Sequence, residues 1–202
     1  MLLIERVLRH VLLVEDIEIL NPAVEDCLCA LRWVTVNAAK YHFDVQRLVV
    51  TGESAGRHLP LTTGTVPESA GFDRRCPGVP LPKAAAVVDW SRITDVAGLL
   101  DGPDRKDYAV AWLGSHPDRE MLARKLSPLT YARADGRPVL LIHGDADPLR
   151  AVVPLHEPMD RAGVRNRLLT IRGGGHGHFS PTQQVMIYGP IGEFLKPALS
   201  GH

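Results

Sequence analysis

One serine lies in a glycine-flanked pentapeptide, Gly52-Glu53-Ser54-Ala55-Gly56, directly after an apolar, β-branched run. A serine hydroxyl becomes a nucleophile when the chain bends sharply enough to expose it and a base removes its proton. Glycines on both sides permit that bend, because side chains there would collide with the neighbouring strand and helix. The N-terminal end of the following helix would add positive potential beside the Ala55 amide, where an oxyanion develops. The alternative is an accidental match in a tight strand-to-helix turn.

Two later segments carry groups that could activate such a hydroxyl. One apolar run leads into a His-Gly-Asp-Ala-Asp-Pro segment at residues 143–148, and a second leads into a glycine-rich loop that contains His176. An imidazole can take the serine proton, and a carboxylate can hold that imidazole in the required tautomer. The order serine, acid, histidine is therefore typical of a catalytic triad. Asp145 and Asp147 both qualify as the acid. Turn carboxylates often cap backbone amides, and this is the alternative role for the aspartate that is not the acid.

Two further histidines compete with His176 for the role of the base. His143 ends a strand pattern and is interpreted as structural, whereas His178 is interpreted as a loop or pocket residue. The same loops also contain residues of metal-ligating type, namely both aspartates, His176 and His178. Neither His-X-His nor Asp-X-Asp is specific without a third ligand at a meaningful spacing. We therefore predict no metal and no cofactor.

The remaining sequence predicts the elements that would position these groups. Short apolar runs predict strands at His10–Leu20, Arg47–Thr51, Ala84–Trp90, Pro138–His143 and Arg167–Arg172. Helical spacing predicts helices at Ala23–Tyr41, from Ser54 to about Leu61, at Val153–Ala162 and at Pro181–Leu199. This alternation favours the α/β class, with a mainly parallel sheet flanked by helices. We predict a single domain of residues 1–202 with a small helical segment at about residues 91–133, called the excursion below.

Several segments together resemble the middle of the α/β-hydrolase carboxylesterases of the hormone-sensitive-lipase and feruloyl/acetyl-xylan-esterase-like kind. They are Ala-Val-Glu-Asp at 23–26, Ala-Leu-Arg-Trp-Val at 30–34, Asn-Ala-Ala at 37–39, Asp-Val-Gln-Arg at 44–47 and the serine pentapeptide. The resemblance covers the chain from about Ala23 to the C-terminus. It implies a triad of Ser54, Asp147 and His176, with the Ala55 amide in the oxyanion hole.

The sequence departs from that family at three places. No His-Gly-Gly loop, the usual second source of an oxyanion-binding amide, precedes Gly52. This departure predicts an N-terminally shortened α/β-hydrolase fold that lacks the leading strands. Arg57 stands where relatives usually carry a second glycine, and residues 148–154 are rearranged against the usual Asp-Pro-X-Val-Pro. An exposed sheet edge left by missing strands would favour a homo-oligomer.

The predicted function is hydrolysis of carboxylic esters, with short acyl groups favoured, through an acyl-enzyme. The alternative is a non-catalytic or weakly active hydrolase-fold remnant that acts as a binding or structural protein. Peptidase or thioesterase activity would use the same machinery. Trp90, Tyr108, Trp112 and Leu113 are candidates to line a substrate pocket or to belong to the core.

Charge and composition exclude other classes of protein. The 202 residues include 23 basic and 23 acidic side chains, and no basic run offers the positive surface that nucleic acids require. The apolar stretch Val11–Val14 is far shorter than the ~20 residues that span a bilayer. The predicted partner is thus a small ester, with no nucleic acid and no membrane span. The first residues lack the order of a signal peptide, which favours the cytoplasm, and secretion would fit a chain whose leader was removed.

Three cysteines leave the redox state open. Cys27 and Cys29 are two apart on a predicted helix, so they face different directions and do not easily bond each other. Either could pair with Cys76 in an oxidising compartment. Three buried thiols is the expectation we favour.

Overall fold

The computed structural model describes residues 22–52, 58–72, 76, 78–90, 93–147, 156–176 and 179–200. The strand predicted at His10–Leu20 lies outside these residues. The chain divides into two compact units, one built from residues up to 45 together with 67–82, the other from residues 46–66 and 83–202. The single-domain arrangement stays a prediction.

The second unit contains a four-stranded parallel sheet in the order β1-β2-β3-β4. The strands are β1 Val49–Gly52, β2 Ala86–Asp89, β3 Val139–Gly144 and β4 Asn166–Ile171. Their register pairs Gly52 with Asp89 and Gly144 with Ile171, so the carboxyl ends of the strands share one edge. Loops after these strands therefore meet at that edge, where parallel sheets place their ligands.

The second unit contains the helices α3 His58–Thr65, α4 Asp107–Leu113, α5 Arg119–Leu126, α6 His156–Arg161 and α7 Pro181–Ser200. Of these, α3 and α6 pack on one face of the sheet and α7 packs on the other. Short 3₁₀ turns lie at Val45–Arg47, Ala97–Leu99, Gly102–Asp104 and Pro128–Tyr131. The excursion thus contains α4, α5 and three of these turns. None of the helices in the described residues is both long and apolar enough to cross a membrane.

Alternate residues of the central strands feed two separate apolar clusters. One joins Leu61 of α3 and Met159 of α6 to Val87, Val139, Leu141 and Val164. The other joins Ile187 and Phe194 of α7 to Ala86, Val88, Leu140, Ile142 and Ile171. Each buried aliphatic side chain contributes about 1.5–3 kcal/mol, so burial on both faces explains the continuous apolar runs. The predicted α/β class with a parallel sheet is confirmed.

Helix α3 ends at Thr65, so the predicted end near Leu61 is wrong. The polar run after Leu61 is helical and its threonines are buried, and the Thr62 and Thr65 hydroxyls are satisfied by donating to the carbonyls of His58 and Leu61, at 2.9 and 2.6 Å. Gly64 does not stop the helix. A Cβ at that position would overlap Cγ2 of Val87, so this glycine lets α3 approach β2 closely.

The first unit contains α1 Pro22–Val36, α2 Ala38–Tyr41 and a 3₁₀ turn at Glu68–Ala70. The prediction of one continuous helix over Ala23–Tyr41 is therefore wrong at Asn37. The Asn37 side chain donates to the Trp33 carbonyl at 2.8 Å, and such local bonds compete with helical main-chain bonds. Within this unit Arg32 forms an ion pair with Glu68 at 2.8 Å.

A disulfide joins Cys29 to Cys76, whose Cα atoms lie 5.6 Å apart. The expectation of three thiols is wrong, and the alternative pairing with Cys76 is the one found. Cys27 is half-buried and lies outside this disulfide. The sequence could not reveal the pair, because the two cysteines are 47 residues apart and meet only when the segment 67–82 joins α1 in one unit.

Candidate active site

The serine pentapeptide spans the interval between β1 and α3. Strand β1 ends at Gly52 and α3 begins at His58, so a strand precedes the motif and a helix follows it. The predicted nucleophile Ser54, the Ala55 amide and Arg57 lie outside the described residues. The flanking elements have the order that a nucleophilic serine on a sharp strand-to-helix turn requires.

The turn after β3 separates the two candidate acids by their contacts. Asp145 accepts a hydrogen bond from the Gly173 amide at 2.6 Å through Oδ1, and its own amide donates to the Ile171 carbonyl at 3.1 Å. Asp145 therefore ties the turn after β3 to the loop after β4. The Asp147 amide donates to the Gly144 carbonyl at 3.1 Å, which closes the turn and leaves its carboxylate for another partner.

That partner is His176, which follows β4 by five residues. Its Nδ1 lies 3.0 Å from Oδ2 and 3.2 Å from Oδ1 of Asp147. The Asp147 side chain is 3% exposed, whereas the His176 side chain is 42% exposed. A carboxylate can only accept, so Nδ1 donates to it, and in a neutral imidazole this contact leaves the lone pair on Nε2. The structure thus brings a buried acid and an accessible imidazole together in the arrangement of a general base.

Glycines make this contact possible, because the main chains of the two loops are in direct contact. A Cβ at Gly144 would overlap the carbonyl group of Gly174, and the Ala146 amide donates to that same carbonyl at 3.0 Å. Gly173 adopts a φ of 66°, a conformation that side chains disfavour. The glycine-rich sequence therefore fixes the loop that carries His176 against the turn that carries Asp147.

The structure describes one of the two competing histidines. His143 is buried within β3, and His178 lies outside the described residues. Among the described residues, no group of three or more His, Cys, Asp or Glu side chains could hold a metal ion.

The aromatic candidates for a pocket divide between core and surface. Leu113 is fully buried and belongs to the core, whereas Tyr108 is exposed. Trp90 donates from Nε1 to the Thr51 hydroxyl at 3.1 Å and packs against Phe179, with ring centroids 6.2 Å apart. Trp90 therefore connects the C-terminal end of β1 to the segment just after the His176 loop.

Sequence reasoning missed one buried histidine, His58, at the start of α3. Its Nε2 contacts the Leu126 carbonyl and lies 2.8 Å from the Thr62 hydroxyl, and its ring meets the edge of Trp112 at 5.4 Å between centroids. Burial lowers the pKa of His58 to about 4, and the hydrogen bond to Leu126 offsets part of that effect. The sequence feature that could have indicated its burial is a single histidine, four residues after Ser54, at the start of a predicted helix.

The parallel sheet flanked by helices matches the α/β-hydrolase fold of solved esterases. The BD-FAE family model matches residues 16–160. The chain therefore belongs to the BD-FAE family, an esterase family of the α/β-hydrolase class. The predicted resemblance is confirmed, and the predicted class of enzyme, an esterase, is that of the family. A comparison with curated protein sequences finds no match.

Solved structures of esterases share this fold. A truncated carbohydrate esterase from gut microbiota is 25% identical with a TM-score of 0.71, and the match covers 88% of this chain and 68% of that one. An esterase from the Planctomycetes species Thermogutta terrifontis with propionate bound is 27% identical with a TM-score of 0.57, covering 87% and 62%. The T. terrifontis esterase 2 phosphonylated by cyclosarin is 25% identical with a TM-score of 0.62, covering 88% and 64%. The chain spans less than two thirds of the T. terrifontis protein.

Proposed function

We propose that this chain hydrolyses carboxylic esters through an acyl-enzyme formed on Ser54. The observation that carries the proposal is the contact between the buried Asp147 carboxylate and Nδ1 of His176. A buried carboxylate behind an accessible imidazole is the arrangement that makes a serine nucleophilic. Membership of an esterase family supports the ester as the bond that is cleaved.

The sheet topology supports Ser54 as the nucleophile. Ser54 follows the end of β1 by two residues, Asp147 follows β3 by three and His176 follows β4 by five. All these strand ends share one edge of the sheet. Neighbouring strands lie about 4.8 Å apart, so the His176 loop must extend by roughly two to three strand spacings to reach the elbow after β1. The glycine-rich sequence of this loop allows the backbone conformations that such a reach requires.

Each residue then has one role in the reaction. Nε2 of His176 takes the Ser54 proton as the hydroxyl oxygen attacks the ester carbonyl carbon, while Asp147 stabilises the imidazolium that forms. The tetrahedral oxyanion accepts a hydrogen bond from the Ala55 amide. Collapse expels the alcohol, which receives the proton from His176. Water, activated by the same base, then releases the acid and regenerates Ser54.

We propose short acyl groups as the preferred substrates. The T. terrifontis esterase, similar in fold to this chain, has been solved with propionate and with butyrate bound. Initial rates on p-nitrophenyl esters of increasing acyl length, together with matched thioester and amide substrates, would rank the substrate classes. A preference for amides or thioesters over all esters would contradict the proposal.

A serine-directed fluorophosphonate tests the nucleophile. We expect stoichiometric labelling, mapped by peptide mass spectrometry to residues 53–57, because only an activated hydroxyl attacks such a probe at an appreciable rate. The Ser54→Ala variant should not be labelled, whereas Ser200→Ala is the matched control, since the exposed Ser200 hydroxyl donates to the Lys196 carbonyl at the end of α7. Folded wild-type protein that resists the probe would favour the second candidate, a non-catalytic or weakly active protein.

A further inference from the structure

Beyond the proposed triad, one buried side chain connects the helix after Ser54 to the excursion. We propose that His58 is a positioning residue, which fixes the start of α3, and with it the nucleophilic serine, by binding the last turn of α5. This inference rests on the proposed function, because it assigns His58 a role in the geometry of that same reaction.

The contact is specific and long-range. His58 and Leu126 are separated by 68 residues, both are buried, and Nε2 of His58 contacts the Leu126 carbonyl oxygen. A carbonyl oxygen can only accept, so Nε2 must carry the proton. The Thr62 hydroxyl lies 2.8 Å from the same nitrogen and 3.4 Å from the Leu126 carbonyl. Side chains one turn apart on α3 thus converge on a single carbonyl of α5.

The histidine is neutral in this environment. Burial is the main cause that lowers its pKa to about 4, so one proton remains on the ring near neutral pH. The edge-on indole of Trp112, from α4, completes the surroundings of the ring. His58 therefore joins three helices through one donated hydrogen bond and ring packing, without introducing a buried charge.

The contact matters for catalysis because His58 lies close to Ser54 in the chain. Residues 53–57 connect β1, which pairs with β2 up to Gly52, to the start of α3. His58 is the first residue of α3 and lies four residues after Ser54. A displacement of ~1 Å at a reacting group can lower a rate about 100-fold. Loss of the contact should therefore change the reactivity of Ser54 more than it changes the stability of the fold.

Two threonines of α3 provide a matched pair for the test. Thr62 and Thr65 are both buried, and the hydroxyl of each donates to the carbonyl four residues earlier. Only the Thr62 hydroxyl also contacts the His58 ring nitrogen and the Leu126 carbonyl. The experiment compares Thr62→Val with Thr65→Val, and His58→Leu with His58→Gln. The readouts are the maximal rate constant of fluorophosphonate labelling, the kcat and KM for p-nitrophenyl acetate, and the melting temperature.

We expect His58→Leu to lower the maximal labelling rate and kcat by up to about 100-fold at similar KM. His58→Gln, which keeps an N–H donor, should recover part of the loss. Thr62→Val should be slower than Thr65→Val at equal melting temperature, and Thr65→Val should match the wild type.

Two results would overturn the inference separately from the proposed function. If wild-type protein is labelled on Ser54, yet folded His58→Leu reacts at the wild-type rate, the esterase stands and the positioning role is wrong. If His58→Leu does not fold, equal labelling rates for the two threonine variants overturn the role in the same way. Wild-type protein that is neither labelled nor active overturns the proposed function, and the positioning role with it.

Discussion

The loop that carries His176 is held by the main chain and the Asp145 carboxylate of the adjacent turn, whereas the start of the helix that follows Ser54 contacts a distant segment through side chains. On the acid–base side, the Ala146 and Asp145 amides donate to the carbonyls of Gly174 and Ile171. On the nucleophile side, the buried ring of His58 reaches the carbonyl of Leu126 in the excursion. Adjacent parallel strands hold the first pair of loops locally, whereas the start of α3 contacts a residue 68 positions away. The acid–base pair should thus tolerate changes in the excursion that the nucleophile does not.

The largest expected effect is a difference in kcat between substitutions of the two aspartates, Asp147 and Asp145. Asp147→Asn should lower kcat about 10⁴-fold, because the amide cannot hold His176 in the required tautomer. Asp145→Asn keeps an oxygen that accepts from the Gly173 amide, so kcat should fall far less. Ester hydrolysis at matched folded fraction, checked by circular dichroism, measures both. Equal losses in the two variants would show that Asp145 shares the role of the acid.

A methyl group tests how rigid the main-chain contact is. Gly144→Ala would place a Cβ against the carbonyl of Gly174, and neighbouring main chain cannot rotate away as a side chain can. We expect a loss of about 3 kcal/mol or more in the free energy of unfolding. Gly192→Ala in α7, where a Cβ meets open space, is the control. Urea denaturation would contradict the close approach if both variants were equally stable.

The nucleophile side should be sensitive to acid through His58. Its pKa is about 4 in the folded chain against 6.5 unfolded, so the unfolded chain binds the extra proton first as the pH falls. Stability due to this group is complete above pH 6.5, declines as the pH falls from 6.5 to about 4, and is about 3 kcal/mol lower below that. The free energy of unfolding, measured across this range, should decline less steeply in His58→Gln. Parallel curves for the two proteins would contradict the burial of a neutral imidazole.

The smallest effect concerns Gly64, where α3 approaches β2. Gly64→Ala would bring a Cβ against Cγ2 of Val87, a side-chain atom that can move. We expect a cost of about 1–2 kcal/mol, below that of Gly144→Ala. The double variant Gly64→Ala, Val87→Ala should recover the overpacking part, which a double-mutant cycle in urea measures. If Gly64→Ala lowered the free energy of unfolding as much as Gly144→Ala, the contact with a side chain would be no more adaptable than the contact with main chain, and the comparison would fail.

The sequence predicted the three later strands to within two residues at each end, because residues buried on both faces of a parallel sheet form continuous apolar runs. Two features were not predictable. The Thr62–Thr65 run resembles a loop in its composition, yet it is helical, and the Thr62 and Thr65 hydroxyls donate to carbonyls four residues earlier. The burial of His58 depends on Leu126, 68 residues later, and no local pattern carries that information.

The motifs predicted which loops carry the candidate site residues, but not how the contacts of the two aspartates differ. The spacing of Asp145 and Asp147 allowed either to be the acid, and only the fold shows that Asp145 accepts from the Gly173 amide while Asp147 contacts His176. The pairing of Cys29 with Cys76 was open for a similar reason, since local spacing constrains direction on a helix but not the approach of a remote segment.

Trapping of the acyl-enzyme tests the central claim most directly. The wild-type protein is mixed with excess p-nitrophenyl acetate, quenched in acid within the first turnovers and analysed by intact-mass and peptide mass spectrometry. We predict one acetyl group per chain, on the peptide that contains Ser54, and no adduct in Ser54→Ala. Ester turnover that persists in Ser54→Ala, or an acetyl group on another residue, would contradict a nucleophilic Ser54 served by His176 and Asp147.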